Sequence, residues 1–391
     1  MSTARKWIVG LVLLILVLST VAGCGPKEKE TVKLSFIGPL TGPHAAMGIG
    51  GRNSFMLAVK QRNEDPDTKY QYEVEAIDDE CKPDVGVQAA LKACGDPKII
   101  ASASHYCSMV AITTADTFHN CGLSSTVWGA VLPDITYGND YVEVCRSNGT
   151  MVQQNQVHAQ WAWDQGFRTV CIMHDVTDYG RGHLKYFSEA WEALGGEILS
   201  VDGVLIDQTD FTAELTNIKA LDPDLLYFGG LTDRGVAIKS QFEKLEMTCQ
   251  FDGTSGIKNE AFNEALGPDA EGVMAWLEGA PMEKLPGGAR FLEAYEKEGY
   301  EQPPEAYGPF AYVAGNLIID AIEEVGPDRK KAAERIDKSD KEDTIIGPVK
   351  FDDHGQNIMA LVTGYISQDG KWVVWEDSEY ASGKRTLPGL Q

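Results

Sequence analysis

Basic residues are scarce in this chain: 34 Lys and Arg stand against 58 Asp and Glu, which gives a formal net charge of −24. A protein this acidic is repelled by nucleic-acid phosphates and by anionic lipid headgroups, so neither is expected as a partner. The acidic residues are scattered along the chain, which is typical of a solubilising surface. An anionic ligand must therefore be held by local dipoles, because the overall field opposes it.

Other absences narrow the class of protein further. After the first 25 residues, no apolar run reaches the length of about 20 residues that spans a bilayer. The sequence has no Cys-x-x-Cys or His-Glu-x-x-His motif, so we expect no zinc site, no other metal site and no cofactor. It also shows no nucleophile–base–orienter set, and we predict that the protein is not an enzyme.

The N-terminus has the pattern of an export signal. Arg5 and Lys6 precede the apolar run Trp7–Leu18, which is too short to cross a bilayer comfortably. Val21-Ala22-Gly23-Cys24 follows directly and resembles the lipobox of bacterial lipoproteins, in which the cysteine is lipidated and begins the mature chain. We predict a signal peptide over 1–23, lipidation of Cys24 and a tether over 24–30. The alternative is an ordinary signal peptide with an incidental cysteine.

The rest of the chain is long enough for two domains. Predicted strands alternate with helices of about 10–15 residues, which indicates βαβ units and mostly parallel sheets. The alternation begins again near residue 150, and antiparallel hairpin material over 346–375 closes the chain before a loose tail over 378–391. The predicted strands are Val32–Leu40, Tyr70–Asp79, Lys98–His105, Ser124–Trp128 and Tyr141–Arg146, then Arg168–His174, Glu197–Leu205, Asp224–Gly229, Cys249–Asp252 and Glu271–Trp276.

One stretch carries the strongest local signal for ligand binding. The strand Lys98–His105 leads through a turn into a helix, with Ser108 at the expected N-cap position. The first turn of a helix has unpaired N–H groups and a partial positive charge, so a serine hydroxyl there completes an anion site. The alternative is that Ser108 only caps its helix. Ligands of open parallel sheets bind beyond the carboxyl ends of the strands, which favours the binding interpretation.

Six short motifs together carry a resemblance to a known family. They run in the family's order across nearly the whole mature chain, and the chain resembles the type I periplasmic binding proteins, above all those for branched-chain amino acids and amides. The motifs are Ile37-Gly38-Pro39-Leu40-Thr41-Gly42-Pro43, Asp78-Asp79-Glu80-Cys81-Lys82-Pro83, His105-Tyr106-Cys107-Ser108, His174-Asp175 with Asp178-Tyr179-Gly180-Arg181-Gly182, Tyr227-Phe228-Gly229-Gly230, and Ile346-Gly347-Pro348-Val349 with Phe351-Asp352.

The resemblance implies an α/β fold of two doubly wound parallel-sheet lobes, joined by three crossovers and closing on a ligand between them. On this basis we assign residues 31–148 plus 280–344 to lobe one. Residues 149–279 plus 345–377 are assigned to lobe two.

The resemblance also implies which residues bind the ligand. The serine that holds the ligand carboxylate in the family corresponds to Ser108, and the contacts of the next strand end correspond to Gly129 and Val131. The tyrosine contributed by lobe two corresponds to Tyr179. Trp128 flanks these positions, and we predict that it stacks on an apolar or aromatic ligand, with a core position as the alternative.

Several positions depart from the family pattern. Val131 stands where a hydroxyl residue is expected, and Leu231 and Met47 stand where aromatic residues are expected. Ser255 occupies the position of the acid that pairs with the ammonium group of an amino acid. An unpaired buried ammonium costs several kcal/mol, so the amino end of the site is predicted to be lost or moved. Asp233 or Asp252 is an alternative source of the acid.

Cysteine pairing follows in part from the resemblance, which implies a disulfide between Cys81 and Cys107. Cys94 and Cys121 end consecutive helices that should lie side by side, so a second disulfide is predicted there. Cys171 lies in mid-strand and is predicted to be a buried free thiol. The pairing of the remaining cysteines is open.

The function implied by the resemblance is that of an extracytoplasmic solute-binding lipoprotein of an ABC importer. Its ligand would be a small carboxylate- or amide-bearing solute that is amino-acid-like, or an aromatic or other acid without an α-amino group. Its partners would be that ligand and ABC permease subunits, and the protein would be a monomer that reaches the membrane only through its lipid anchor. The expected location is the outer side of the cytoplasmic membrane or the periplasm. The alternatives are a ligand sensor of the same fold and an exported α/β enzyme.

Overall fold

The computed structural model describes residues 29–279, 281–285, 287–358 and 361–390. The predicted signal peptide, Cys24 and most of the tether lie outside the described residues. Within the described ranges, no helix is long and apolar enough to cross a membrane.

The first lobe is built on a sheet of five parallel strands in the order β2-β1-β3-β4-β5. All six residues of its central strand β3 are buried. The last four are alanines and serines, whose small side chains let helices pack closely on both faces of the sheet, as parallel sheets require. The strands are β1 (Glu30–Gly38), β2 (Tyr70–Asp78), β3 (Ile99–Ser104), β4 (Ser124–Val127) and β5 (Val144–Arg146), and the first four helices are α1 (Ala45–Glu64), α2 (Pro83–Gly95), α3 (Ser108–Cys121) and α4 (Asp134–Tyr137).

The second lobe contains a seven-stranded sheet in the order β14-β13-β10-β9-β8-β6-β7. Strands β6 to β10 are parallel to one another, and the antiparallel hairpin β13–β14 extends the sheet at one edge, as predicted. The strands are β6 (Thr169–Asp175), β7 (Glu197–Val204), β8 (Leu225–Gly229), β9 (Gln250–Gly253), β10 (Met274–Glu278), β13 (Val362–Gln368) and β14 (Lys371–Val374), and the helices are α5 (Met151–Gln165), α6 (Asp178–Ala193), α7 (Thr212–Leu221), α8 (Thr232–Lys244) and α9 (Glu260–Leu266).

Three later helices return to the first lobe. They are α10 (Gly288–Lys297), α11 (Gly308–Val325) and α12 (Arg329–Ile336), followed by the two-stranded pair β11 (Asp340–Lys341) and β12 (Val349–Lys350). The chain therefore crosses between the lobes after β5, after β10 and after β12. The crossings lie side by side, because Asn357 N–H donates to the Arg146 carbonyl and Gly279 N–H donates to the Leu361 carbonyl. The exact lobe boundaries given above stay a prediction.

Both sheets have the same doubly wound order, with a reversal at β1/β3 in one and at β6/β8 in the other. The carboxyl ends of the strands next to such a reversal leave a crevice that neighbouring helices do not fill. The two crevices face each other across the interlobe cleft, with the loops after β3 and β4 on one side and those after β6, β8 and β9 on the other.

Two disulfides join neighbouring elements of the first lobe. Cys81–Cys107 ties the loop after β2 to the turn before α3, and Cys94–Cys121 ties the last turns of α2 and α3. Their Cα atoms are 5.5 and 5.8 Å apart, within the normal range for a disulfide. Cys171 is a buried free thiol, as are Cys145 and Cys249.

The prediction of a loose C-terminal tail is wrong for the described part of 378–391. Leu387 is only 4% exposed and packs into the core of the second lobe. Arg385 forms ion pairs with Glu271, Asp369 and Glu379. The sequence of this segment is polar and rich in turn residues, so its periodicity does not reveal these contacts with distant residues.

Candidate functional site

A small cavity lies between the lobes where the two strand edges face each other. Its volume is about 10 Å³, close to the space that one water molecule needs and far below that of a small-molecule site, so the two walls nearly meet here. The first lobe contributes Tyr106, Cys107, Ser108, Met109, Gly129 and Tyr307, and the second contributes Thr177, Tyr179, Leu231 and Ser255. Of the eight predicted ligand contacts, the structure brings together Ser108, Gly129, Tyr179, Leu231 and Ser255.

Ser108 has a different local role from the predicted N-cap. Helix α3 begins at Ser108 itself, Cys107 is the capping residue, and no side chain caps the helix. The Ser108 hydroxyl oxygen accepts hydrogen bonds from the backbone N–H groups of Val131 and Leu132, at 3.2 and 3.3 Å. Both of its lone pairs are engaged, so the hydroxyl hydrogen remains available to donate to an acceptor in the cavity.

Backbone donors complete this end of the cavity. The N–H groups of Ser108 and Met109 lie in the first turn of α3, and neither has a hydrogen-bond partner among the described residues. First-turn N–H groups have no intrahelical acceptor and lie at the positive end of the helix dipole. Together with the Ser108 hydroxyl they form a set of donors suited to a carboxylate.

Arg146, at the end of β5, fixes the loop that holds Ser108. Its buried guanidinium donates to the carbonyl groups of Ala130 and Leu132, at 3.2 and 2.7 Å. Removal of the guanidinium from water lowers the pKa of Arg146 to about 10. Val131, predicted to contact the ligand, lies in this loop but does not line the cavity, and its backbone N–H instead orients Ser108.

Two further predicted contacts are wrong because the residues belong to the core of the first lobe. Trp128 is fully buried, and its indole N–H donates to the Ile37 carbonyl at 3.1 Å. Added Cβ atoms at Gly38 and Gly51 would lie 2.7 and 2.8 Å from its ring, so these glycines make room for it. Met47 is 3% exposed and packs in the same core.

The aromatic wall of the cavity is formed instead by Tyr106 and Tyr307. The Tyr106 ring stacks on Trp128 at a centroid distance of 5.9 Å and meets Tyr307 edge-on at 5.7 Å. A Cβ atom at Gly129 would approach the Tyr106 ring to 2.9 Å, so glycine is required beside it. Sequence reasoning missed both tyrosines as ligand contacts, although Tyr106 stands inside the motif that contains Ser108.

The opposite wall presents hydroxyl groups of the second lobe. Tyr179 lies in the first turn of α6, and its hydroxyl is 2.8 Å from Thr254 Oγ1 and 3.4 Å from Ser255 Oγ. The same oxygen accepts the N–H of Gly256 at 2.9 Å. Burial raises the pKa of Tyr179, so the phenol stays neutral at physiological pH. This wall therefore presents groups that donate or accept hydrogen bonds and carry no formal charge.

Neither aspartate considered as a replacement acid lines the cavity. Asp252 is buried and accepts hydrogen bonds from His158 and Gln250, at 2.9 and 2.7 Å. Asp233 pairs with Arg234 at 3.1 Å. Leu231 is apolar and Ser255 is neutral, so an ammonium group would find no carboxylate among the side chains of this wall.

A different carboxyl group lies directly behind the cavity. Glu278 ends β10, is 3% exposed and accepts hydrogen bonds from Gln154 at 2.6 Å and from Tyr307 at 2.9 Å. Burial raises the pKa of Glu278 to about 7. Its hydrogen bonds and the charge of Arg146 lower the pKa, but the effect of burial is larger. The sequence does contain a signal for this group, since an acidic residue ends the otherwise apolar strand Met274–Glu278.

A chain of carboxylate, imidazole and hydroxyl also occurs near the site, but it is buried. Asp79 and His105 are 2.8 Å apart, and His105 is 3.0 Å from Thr114. All three side chains are inaccessible to solvent, and Thr114 also donates to its own helix. Asp79 further accepts the N–H of Cys81 at 2.9 Å. The group therefore supports the turn at the Cys81–Cys107 disulfide and has no access to a substrate.

Comparisons with known proteins identify the family. The family model described as periplasmic binding protein matches residues 31–371. A leucine-, isoleucine-, valine-, threonine- and alanine-binding protein of Pseudomonas aeruginosa is 26% identical over 330 residues, which are 83% of this chain and 87% of that protein.

Solved structures agree in fold. The leucine-binding protein LivK of Thermotoga maritima is 25% identical, with a TM-score of 0.81, over 88% of this chain and 97% of the other. A solute-binding protein of an ABC transporter from R. palustris, in complex with benzoate, is 18% identical, with a TM-score of 0.79, over 88% and 95%. The predicted two-lobed α/β fold is confirmed.

Proposed function

The chain belongs to the periplasmic binding protein family, and on that premise we propose that it captures a small carboxylate-bearing solute between its lobes and delivers it to an ABC permease. The donors at the start of α3 carry this proposal. The Ser108 hydroxyl and the N–H groups of Ser108 and Met109 converge on one end of the cavity, where no carboxylate side chain opposes an anion. Local dipoles of this kind hold an anion in a protein of net charge −24.

The rest of the ligand is proposed to be apolar, either aliphatic or aromatic. Tyr106, Tyr307 and Leu231 give the cavity three apolar surfaces. The relative from Pseudomonas aeruginosa is named for aliphatic amino acids and threonine, and the structural neighbour from R. palustris was solved with benzoate. Both kinds of molecule combine a carboxylate with a compact body that fits such walls.

Closure of the two lobes is the proposed mechanism. The first lobe holds the carboxylate, and the second brings Tyr179 and Ser255 against the other side of the ligand. A ligand that contacts both lobes binds the closed form more tightly than the open form, and this difference in affinity shifts the population toward closure. Binding and release need no covalent step.

The cellular setting is proposed from the sequence. The signal peptide would direct export, and lipidation of Cys24 would anchor the protein through the tether 24–30. The protein would then be a monomer at the outer side of the cytoplasmic membrane or in the periplasm. The test is metabolic labelling with a radioactive fatty acid in a bacterial host. The wild type should be labelled and a Cys24→Ser variant should not, whereas label on both would contradict the proposal.

A thermal-shift screen of the mature protein tests the ligand class. Aliphatic amino acids, aromatic acids, dicarboxylates and short amides are the probes, because a ligand that binds the folded state raises the melting temperature. We expect a shift with leucine-like or benzoate-like carboxylates. Isoamylamine has an aliphatic chain and an amino group without a carboxylate, and is the control. A shift with this amine equal to that of leucine would contradict the role of the α3 donors.

A further inference from the structure

Glu278 links the two lobes at the back of the cavity. It belongs to the sheet of the second lobe, whereas Tyr307 directly precedes α11 of the first lobe. The Tyr307 hydroxyl donates to Glu278 Oε2 at 2.9 Å, and Gln154 donates to Oε1 at 2.6 Å. Tyr307 itself lines the cavity. The carboxyl group is therefore one hydrogen bond away from a bound ligand.

We propose that Glu278 determines whether the cavity accepts a ligand with an amino group. When Glu278 is ionised it holds the hydroxyl proton of Tyr307, so the Tyr307 oxygen acts only as an acceptor, both for the Ser255 hydroxyl beside it and for a ligand in the cavity. Such an acceptor suits an ammonium or amide N–H group. When Glu278 is protonated it donates to the same oxygen, and the Tyr307 proton turns toward the cavity, where it suits a ligand oxygen.

The packing around Glu278 keeps it in this position. A Cβ atom at Gly149 would lie 2.8 Å from Glu278 Cγ, so the first crossover passes directly against the side chain. Groups that act on its charge include Arg146, Tyr106 and Tyr307 from the first lobe and Tyr179 from the second. Lys258, Lys284 and Glu305 line the neighbouring interlobe space that Glu278 also borders. The tyrosines are neutral, and the ligand is an additional charge beside this buried carboxyl group.

The inference rests on the proposed function and extends it to the amino end of the ligand. A cationic group beside Tyr307 favours ionised Glu278, so affinity for an amino acid should rise as the pH increases from 6 to 8. Affinity for the same acid without its amino group should fall over that range, because an ionised Glu278 repels a second negative charge.

Calorimetry with matched ligand pairs tests this specificity. Leucine is compared with 4-methylpentanoate, and phenylalanine with 3-phenylpropanoate, because each pair differs only in the α-amino group. The wild type at pH 8 should prefer the amino acid of the pair that fits its cavity. In Glu278→Gln the side-chain amide can donate to Tyr307 at every pH, so the preference should fall about tenfold or more and lose its pH dependence.

Two further variants separate this role from a loss of structure. Glu305→Gln is the control, because Glu305 is a half-buried glutamate of the interlobe region whose pKa burial raises to about 7, and it accepts a hydrogen bond from Gln302 and does not line this cavity. It should keep the wild-type preference. Tyr307→Phe removes the acceptor and should lose the preference as Glu278→Gln does.

The outcomes distinguish this inference from the proposed function. A wild type that binds no carboxylate in the screen would overturn both. If the wild type binds the ligands of one pair, and Glu278→Gln keeps the same ratio of affinities and the same pH profile, the inference alone is overturned.

Discussion

The two walls of the cleft hold their functional groups in different ways. On the first lobe, the donors are backbone N–H groups and one serine, fixed by the Cys81–Cys107 disulfide and by the loop that Arg146 binds. On the second lobe, Tyr179 and Ser255 are neutral hydroxyl groups that lie within hydrogen-bond distance of each other, and Ser255 also bonds Tyr307 of the first lobe. The first wall is thus prepared for an anion, whereas the second adapts to donors or acceptors. Carboxylate binding should therefore depend on rigid geometry, whereas selectivity for an amino group should depend on the protonation of Glu278, which bonds Tyr307 across the lobes.

Removal of each disulfide in turn is expected to have the largest effect and separates rigidity from stability. The Cys81–Cys107 and Cys94–Cys121 disulfides close loops of nearly equal length, with sequence separations of 26 and 27. Each double Cys→Ala variant should lose about 3 kcal/mol of unfolding free energy, measured by denaturant titration. Only the variant without Cys81–Cys107 should also bind more weakly, since that bond lies beside Ser108. An equal loss of affinity in both variants would show that the first wall is not locally rigidified.

The pH dependence of stability tests Glu278, the carboxyl group at the back of the cavity. The pKa of Glu278 is raised to about 7 in the folded protein. Folding therefore favours the protonated form, and its stabilising effect is present below pH 4.5 and is lost as the pH rises through 7. The unfolding free energy of the wild type should fall by about 3 kcal/mol relative to Glu278→Gln over this range. Parallel pH profiles of the two proteins would mean that Glu278 is not buried as a neutral acid.

Ser108→Ala tests the anion end directly. The change removes the hydroxyl donor and leaves the N–H groups of Val131 and Leu132 without their acceptor. Binding of the best carboxylate from the screen should weaken by roughly 1–3 kcal/mol, measured by calorimetry. Ser35→Ala is the control, because the buried Ser35 hydroxyl has no partner among the described residues. Unchanged affinity in Ser108→Ala would remove this serine from the binding site.

Tyr179→Phe should have the smallest effect, because the opposite wall shares its hydrogen bonds among several groups. Gly256 N–H would still lie 3.4 Å from Thr254 Oγ1. We expect about 1 kcal/mol of lost binding free energy by calorimetry. Tyr137→Phe serves as the control. The Tyr137 hydroxyl donates to Asp352 at 2.9 Å, and Tyr137 does not line the cavity. A loss as large as that of Ser108→Ala would mean that the two walls contribute alike.

The sequence predicted much of the fold but only part of the cavity. Local alternation of strands and helices identified the sheet edges, and the motif His105–Ser108 identified one end of the cavity, where anion binding stays a prediction. Trp128 was misplaced because a large aromatic residue after a strand suits either a core or a ligand wall. The space beneath it is made by Gly38 and Gly51, which belong to other elements. Position along the chain does not reveal such packing.

The sequence by itself determined the alternating α/β pattern, the net negative charge and the strand–turn–helix segment that contains Ser108. These depend on residue type and on short-range periodicity. Only the tertiary structure decided which carboxyl group lies behind the cavity. Glu278 accepts hydrogen bonds from Gln154 and Tyr307, which are 124 and 29 residues away along the chain. The crossovers bring these residues together, and burial at that junction changes the pKa of the carboxyl group, which no local pattern encodes.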